Sequence, residues 1–318
     1  MKNKILLFAL FLSFVSISEA QLQMNHWEFG DHAALDFTSG TPVAGNSQIP
    51  NQYDGTTSIS DGSGNLLFYS DGQTVWNANN VAMPNGTGLH GSGGSGQSSI
   101  VFQKPGSSNL FYLFTMDGWG GTGYGCNYSV VDMSLQGGLG NVTTLNTLIN
   151  NDCYERMTLV RNGNGTDAWL LILDWSTDNI YAYAITSAGV NLVPVTSNVG
   201  SISSQTGGNS LGPLKVSPLG DRLACGNWAA ADFHIFNFNN VTGVASNPIV
   251  LHSGGTYGYS YGTEFSPDGT KLYAVSSYTN SKLYQFNLSA GGTAAAIIAT
   301  QVIISTNASQ YAFTSLQR

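Results

Sequence analysis

The chain has 318 residues, a formal net charge of −8 and only 9% charged residues. Ten Lys and Arg residues are too few for a basic surface that follows a phosphate backbone, so the composition excludes a typical nucleic-acid-binding protein. A hydrophobic content of 42% supports a folded core, while long runs of good helix formers are absent, which excludes a disordered or helix-rich chain.

The first 20 residues have the pattern of a secretory signal peptide. Lys2 and Lys4 precede an apolar run over 5–17, and a Ser-Glu-Ala sequence ending at Ala20 supplies the small residues of a cleavage site. The apolar run is shorter than the ~20 residues that cross a bilayer. We therefore expect export through the inner membrane, no membrane span, and an extracellular or outer-surface location.

One sequence unit recurs five times after this segment. Each copy has an apolar strand, a tight turn rich in Gly, Pro, Asn and Asp, a second apolar strand, a variable loop and an alternating third strand. The turns lie at 61–65, 105–109, 162–167, 218–221 and 267–270. Second strands are predicted at 66–70, 110–116, 168–175, 222–228 and 271–277. Third strands are predicted at 74–77, 128–133, 179–185, 233–239 and 282–288.

The repeat predicts an all-β fold, a β-propeller of four-stranded antiparallel blades. Fourth strands are weaker in sequence, for example at 247–253 and 295–304. Successive second strands begin about 40 to 60 residues apart, as expected for propeller blades with loop insertions. A β-sandwich is the alternative, but it does not predict five copies of one unit.

Both ends of the repeat region carry parts of a sixth unit. Residues 311–318 resemble the opening strand of another repeat, with no turn or second strand after it. Residues 27–37 have strand character but belong to no complete unit. We therefore expect a propeller domain over 21–318 with five complete blades and a partial sixth. This domain is expected to be incomplete at its C-terminus and truncated from a larger ring, unless the ring closes differently.

A set of motifs links the chain to a known family. The motifs are Trp27-x-Phe-Gly30 with Ala34-Leu-Asp-Phe37, Gly64-Asn-Leu-Leu-Phe-Tyr-Ser-Asp-Gly72, Val75-Trp-Asn77, Met83-Pro-Asn-Gly86, Tyr128-Ser-Val-Val-Asp-Met133 with Gly137-Gly-x-Gly140, and Phe265-Ser-Pro-Asp-Gly-Thr-Lys-Leu-Tyr273. In this order they resemble the N-terminal WD40-like propeller of large secreted Bacteroidota proteins, over nearly the whole chain after residue 20. One departure is Ala34, where relatives often have Gly.

The resemblance implies a location at the cell surface. Proteins of this family continue into PKD-like or immunoglobulin-like domains and end in a type IX secretion sorting domain associated with gliding motility. This sequence contains none of those downstream domains. The resemblance therefore implies a parent protein whose attachment signals lie beyond the sequence given.

Strand direction predicts which loops share one face of the propeller. Loops after second strands and before first strands lie at the same end of the blades, because neighbouring strands are antiparallel. Aromatic and acidic candidates for ligand binding gather on this face: Trp119, Tyr124, Trp175, Trp228, Tyr257, Tyr259, Tyr261, Asp71, Asp117, Asp174 and Asp232. Aromatic rings stack on sugars or anchor protein partners, and carboxylates accept hydrogen bonds from hydroxyls. Packing between blades is the alternative role for the aromatic residues.

The sequence carries no recognisable catalytic or metal-binding motif. It lacks a nucleophile elbow and the ligand spacing of a zinc site. The turns at 61–65 and 162–167 resemble calcium loops but lack the closing Glu. We therefore predict no catalytic residue, no metal and no cofactor.

The three cysteines are Cys126, Cys153 and Cys225. Export permits disulfides, and an odd number of cysteines leaves at least one thiol outside such a pair. Cys126 and Cys153 are the candidate disulfide because each lies beside a turn-rich segment. Three reduced, partly buried thiols are the alternative.

These observations favour a secreted or cell-surface propeller that binds glycans or partner proteins without catalysis, as in adhesion. One alternative is a propeller hydrolase or lyase that uses carboxylates in the channel to act on a polysaccharide or lactone. Another is a passive structural spacer. Several acidic groups with shifted pKa values in the channel would favour the enzyme. A channel opening lined by aromatic residues, without such acidic groups, would favour binding.

Overall fold

The computed structural model describes residues 22–50, 55–118, 120, 123–175, 177–200, 211–252, 259–277, 280–307 and 314–317. These residues form six antiparallel sheets, arranged as a β-propeller with very little helix. The predicted fold class is therefore confirmed. The predicted signal peptide and two candidate binding residues, Trp119 and Tyr257, lie outside the described residues.

The N-terminal sheet has three strands, and the next two sheets have four strands each. The three-stranded sheet comprises β1 (His26–Glu28), β2 (Ala33–Asp36) and β3 (Val43–Asn46). The second sheet comprises β4 (Thr57–Ser60), β5 (Leu66–Ser70), β6 (Thr74–Asn77) and β7 (Ala82–Thr87). The third comprises β8 (Ser99–Gln103), β9 (Leu110–Met116), β10 (Cys126–Asp132) and β11 (Asn141–Asn150).

The remaining three sheets follow the same meander, in which each strand pairs with the next. The fourth sheet comprises β12 (Met157–Arg161), β13 (Ala168–Leu173), β14 (Asn179–Thr186), β15 (Gly189–Val190) and β16 (Val195–Asn198), with both β15 and β16 paired to β14. The fifth comprises β17 (Leu214–Val216), β18 (Arg222–Asn227), β19 (Asp232–Asn239) and β20 (Val244–Leu251). The sixth comprises β21 (Tyr259–Phe265), β22 (Lys271–Ser277), β23 (Ser281–Asn287) and β24 (Val302–Asn307).

Among residues 23–317 that the structure describes, short helical segments occur in two connections. They are the 3₁₀ turns Gln136–Gly138 and Leu288–Ala290 and the helix α1 (Ala294–Ile298). The predicted strand over 295–304 is therefore wrong in its first half. An alanine run has a high helix propensity, and the Thr293 hydroxyl accepts the backbone N–H of Ala296 at 3.3 Å as a helix cap.

The hydrophobic core lies between neighbouring sheets rather than at one centre. For example, Phe68 and Phe111 meet edge-to-face between the second and third sheets, with ring centroids 5.5 Å apart. Trp169 and Phe236 belong to a buried cluster between the fourth and fifth sheets. Since each sheet packs on both faces, one blade cannot bury its apolar residues alone, which explains why the unit repeats.

The first strands of successive sheets surround the propeller axis. β4 contacts β8, β8 contacts β12, β12 contacts β17, and β17 contacts β21. Close packing at the last of these junctions depends on a glycine. A Cβ atom on Gly226 in β18 would lie 2.5 Å from the carbonyl oxygen of Tyr261 in β21.

The N-terminal strands, together with the C-terminal residues, lie between the sixth sheet and the second. β1 contacts β4, and the Thr56 hydroxyl donates to the Glu28 carbonyl oxygen at 2.5 Å. Thr314 lies against β21, where a Cβ atom on Gly262 would be 2.2 Å from its carbonyl oxygen. Residues 27–37, expected to belong to no complete unit, contribute β1 and β2 to a sheet of the ring, in which β1 pairs with β2 and also contacts β4 of the second sheet.

One glutamine side chain joins three sheets at the axis. The Gln97 carboxamide oxygen accepts the backbone N–H groups of Leu214 at 2.9 Å and Met157 at 3.2 Å. Its amide nitrogen donates to the Leu214 carbonyl oxygen at 3.3 Å. Gln97 precedes β8, so these bonds connect the entry of β8 to β12 and β17.

We expect Gln97→Ala to lower the free energy of unfolding by about 1 to 3 kcal/mol, because it leaves buried backbone N–H groups without their partner. Thermal and urea unfolding measure the change. Gln103→Ala is the matched control, since the Gln103 side chain bonds only to Ser107 and Ser108 of its own hairpin. An equal loss in both variants would contradict a role for Gln97 between sheets.

Candidate ligand-binding face

A cavity of about 450 Å³ lies along the propeller axis. Its wall includes the segments 55–58 and 96–97 and residue Pro213, which precede or begin first strands. Residues 27–29 and 314–317 complete the wall. The cavity therefore reaches the same face on which the sequence places the aromatic and acidic candidates.

Hydroxyl and amide groups dominate the polar lining of the cavity. They come from Thr56, Thr57, Ser58, Gln97, Ser99, Thr314, Ser315 and Gln317. The one lysine among the lining residues, Lys215, lies 3.3 Å from a carboxylate oxygen of Glu264 and donates to the Gln317 side-chain oxygen at 3.0 Å. Because this ammonium group is already paired, the lining is mainly neutral and hydrogen-bonding in character.

Glu28 is the one carboxylate among the residues that line the cavity. It is 6% exposed, and its Oε2 atom is buried without a hydrogen-bond partner among the described residues. Burial disfavours the charged form and raises the pKa of Glu28 to about 7. Glu28 lies inside the Trp27-x-Phe-Gly30 motif but is not among the candidates predicted from sequence.

Three of the four carboxylates predicted on this face accept hydrogen bonds from their own loops. Asp71 accepts the backbone N–H groups of residues 73 and 74, each at 2.8 Å, and burial raises its pKa. Asp117 accepts three backbone N–H groups, from residues 118, 123 and 124, at 2.8 to 3.0 Å. Asp174 accepts the hydroxyl groups of Thr177 at 2.5 Å and Tyr181 at 3.1 Å. All three carboxylates are buried, so they position loops rather than face solvent.

The fourth carboxylate, Asp232, contacts a histidine at the surface. Its Oδ2 atom lies 3.0 Å from Nδ1 of His252, whose side chain is 72% exposed. Asp232 begins β19, and His252 follows the end of β20. Both residues therefore lie on the predicted face.

The described aromatic candidates form pairs instead of one continuous ring of side chains. Tyr124 stacks on His90 with ring centroids 3.8 Å apart, and Trp175 meets Tyr154 edge-to-face at 5.2 Å. The remaining candidate of the set, Tyr261, lies further inward, where its hydroxyl group adjoins Gly96 of the cavity wall.

The pair Trp228–Tyr259 bridges the fifth and sixth sheets. The two rings are stacked, with centroids 4.1 Å apart and an interplanar angle of 21°. Trp228 Nε1 donates to the Ser277 hydroxyl at 3.1 Å, which fixes the indole, while Tyr259 remains 38% exposed. The prediction that these two residues share a face is therefore matched by direct contact between them.

The candidate cysteines lie side by side in the core. The thiols of Cys126 and Cys153 are within hydrogen-bonding contact, both are fully buried, and both are reduced in this structure. Burial and the neighbouring thiol raise the pKa of Cys126. The proximity matches the predicted pair, and the covalent bond itself stays a prediction.

Within the described ranges, no group of three or more His, Cys, Asp or Glu side chains is placed to hold a metal ion. The same ranges contain no helix of sufficient length and hydropathy to cross a bilayer.

Comparisons with known proteins give only low similarities. No family model and no curated protein matches the chain. A protein from Lactobacillus plantarum has 15% identity and a TM-score of 0.45, with 86% of this chain and 76% of that chain covered. A protein proposed to be a 6-phosphogluconolactonase, from Bacteroides uniformis, has 13% identity and a TM-score of 0.46, with 87% and 78% covered. Kluyveromyces lactis Hsv2 has 12% identity and a TM-score of 0.43, with 83% and 73% covered. Similarities this low carry no argument about activity.

The raised pKa of Glu28 predicts a pH-dependent stability. The folded state holds the Glu28 proton more tightly than the unfolded chain, so this contribution is present below about pH 4.5 and is lost as pH rises through about 7. We expect Glu28→Gln to raise the melting temperature at pH 8 by about 2 to 4 °C and to change it little at pH 5. Differential scanning calorimetry at both pH values measures this. An equal effect at the two pH values would contradict the assignment.

The adjacent thiols predict a specific cross-link. We expect the chain exported to an oxidising compartment to contain a Cys126–Cys153 disulfide, because the two sulfur atoms already adjoin in the fold. Non-reducing peptide mapping by mass spectrometry identifies the linked pair. Cys225→Ser is the control and leaves the map unchanged. Peptides that contain both thiols free after export would contradict the prediction.

Proposed function

We propose that this chain is a non-enzymatic binding propeller of the bacterial cell surface, which recognises a glycan or a partner protein on the face that bears the axial cavity. The signal-peptide pattern of residues 1–20 supports export. The motif resemblance supports display as part of a larger Bacteroidota surface protein exported by type IX secretion.

The stacked pair Trp228–Tyr259 is the observation that carries this proposal. The hydrogen bond from Trp228 to Ser277 fixes the indole ring. The Tyr259 ring stacks on this fixed indole, so it forms a rigid aromatic surface. Asp232 and His252 lie at the same end of the fifth sheet, on the same face of the propeller, and add hydrogen-bonding groups. A rigid aromatic ring beside polar groups suits both a sugar face and a protein hot spot.

The carboxylates of the face also favour binding over catalysis. Acid–base chemistry on a substrate needs carboxylate oxygens that can reach it. The oxygens of Asp71, Asp117 and Asp174 instead accept hydrogen bonds from their own loops. Removing such bonds to serve a substrate would release the loops that shape the face.

We expect Tyr259→Ala to weaken capture of the ligand by about tenfold or more, because it removes the exposed ring of the stacked pair. Binding to a glycan array and to intact cells measures capture, and thermal unfolding checks the fold. Leu219→Ala is the control: Leu219 is 74% exposed but lies in the turn 218–221 on the opposite face. An unchanged binding profile for Tyr259→Ala would contradict the proposed site, and no specific ligand for the unmodified chain would favour a passive spacer.

Glu28 supports a second candidate, a hydrolase or lyase of lactones or polysaccharides. A carboxyl group in a cavity with a pKa of about 7 can act as a general acid or base at neutral pH. The test is turnover of lactone and polysaccharide substrates by the unmodified chain. Loss of a general acid–base group lowers turnover by about 100-fold or more. A loss of this size in Glu28→Gln, with turnover retained in Tyr259→Ala, would establish the enzyme and overturn the non-enzymatic proposal.

A further inference from the structure

The sixth sheet ends in an outer strand that is open to solvent. β24 pairs with β23 along one side. Val302, Ile303 and Ile304 are consecutive and are 48%, 49% and 50% exposed. Ile304 also lacks a register partner on β23, because a β-bulge falls there. An exposed apolar edge strand is a template for pairing with another chain.

Prolines interrupt or precede several other outer strands of the molecule. β7 contains Pro84, β20 contains Pro248, and Pro42 directly precedes β3. Proline lacks the N–H group that an added strand would need, so it protects an edge against pairing. β24 contains no proline.

The remaining outer strands are bonded to neighbouring sheets. In β11, the Asn146 side chain accepts the His90 N–H at 3.2 Å and donates to the Gly88 carbonyl oxygen at 2.8 Å. In β16, the Ser197 hydroxyl accepts the Ala245 N–H at 3.0 Å. Among the described residues, Val302 to Ser305 of β24 make no comparable bond with another sheet.

The sequence around β24 also carries no charged residue. Residues 283–317 contain no Asp, Glu, Lys, Arg or His, although the whole chain has a net charge of −8. Two copies would repel each other wherever acidic surfaces meet, but they meet no such charge along this edge. The same absence of charge removes the usual electrostatic attraction for a basic or acidic partner.

We propose that β24 pairs antiparallel with β24 of a second copy of this chain, which joins the sixth sheets of the two copies into one continuous sheet. A two-fold axis makes such an edge self-complementary, since the same apolar residues face each other from both sides. This interface goes beyond the proposed ligand-binding function and does not depend on it. It would give the dimer two ligand-binding faces.

Sedimentation equilibrium of the purified chain from about 1 to 500 µM tests the interface. We expect a reversible monomer–dimer equilibrium, and Ile303→Lys should weaken it about tenfold or more by opposing like charges across the axis. Val244→Lys is the matched control, because Val244 is 43% exposed on the proline-containing β20. A chain that stays monomeric throughout, or a dimer unaffected by Ile303→Lys, would overturn the proposal.

Cross-linking provides a second measurement that does not rely on destabilising the edge. We expect Ile304→Cys to form a disulfide-linked dimer under mild oxidation, because the two-fold axis brings the same strand segments together, whereas Val244→Cys should remain monomeric. The three native cysteines are fully buried and leave the background low. Cross-linking of Val244→Cys alone would place any contact at β20 and contradict the role of β24.

Discussion

Hydrogen bonding at the axis is the constraint on which the rest of the propeller depends. First strands contact each other around the centre, where backbone groups are buried and need partners. Gln97 supplies partners to residues on two other sheets. Arg156 is fully buried and donates to the carbonyl oxygens of Leu211 and Gly226, while Glu155 accepts the Gly96 N–H at 2.6 Å. Among the described residues, first strands of different sheets do not pair with each other by backbone hydrogen bonds. Side chains that can make several hydrogen bonds connect these strands instead.

This arrangement separates the tasks of the polar residues. Buried Asp71, Asp117 and Asp174 accept hydrogen bonds from their own loops, which keeps these connections in place at the ends of the blades. Chemical contact with a ligand is then left to other side chains at this end of the blades. Tyr259 is such a side chain, since the Trp228 ring beneath it is fixed by Ser277.

The outer strands of the blades differ in how well their edges are protected against pairing. A propeller hides the faces of its sheets but exposes the outermost strand of each blade. Proline in β20 and side-chain bonds from β11 to the neighbouring loop prevent further pairing there. β24 combines apolar exposure with an uncharged surrounding sequence, so its edge retains the capacity to pair.

The sequence alone predicts the repeat, because tight turns and period-2 alternation are local properties: the second strands 66–70, 110–116 and 271–277 coincide with β5, β9 and β22. It also placed Trp228 and Tyr259 on one face, since strand direction alternates. It failed over 295–304, where alanine helix propensity competed with strand continuation. The folded structure was needed to place Glu28 and Gln97 at the axis, to show that Asp71, Asp117 and Asp174 serve their own loops, and to bring β1 beside β4. These outcomes depend on contacts between residues distant in the chain, which no local pattern encodes.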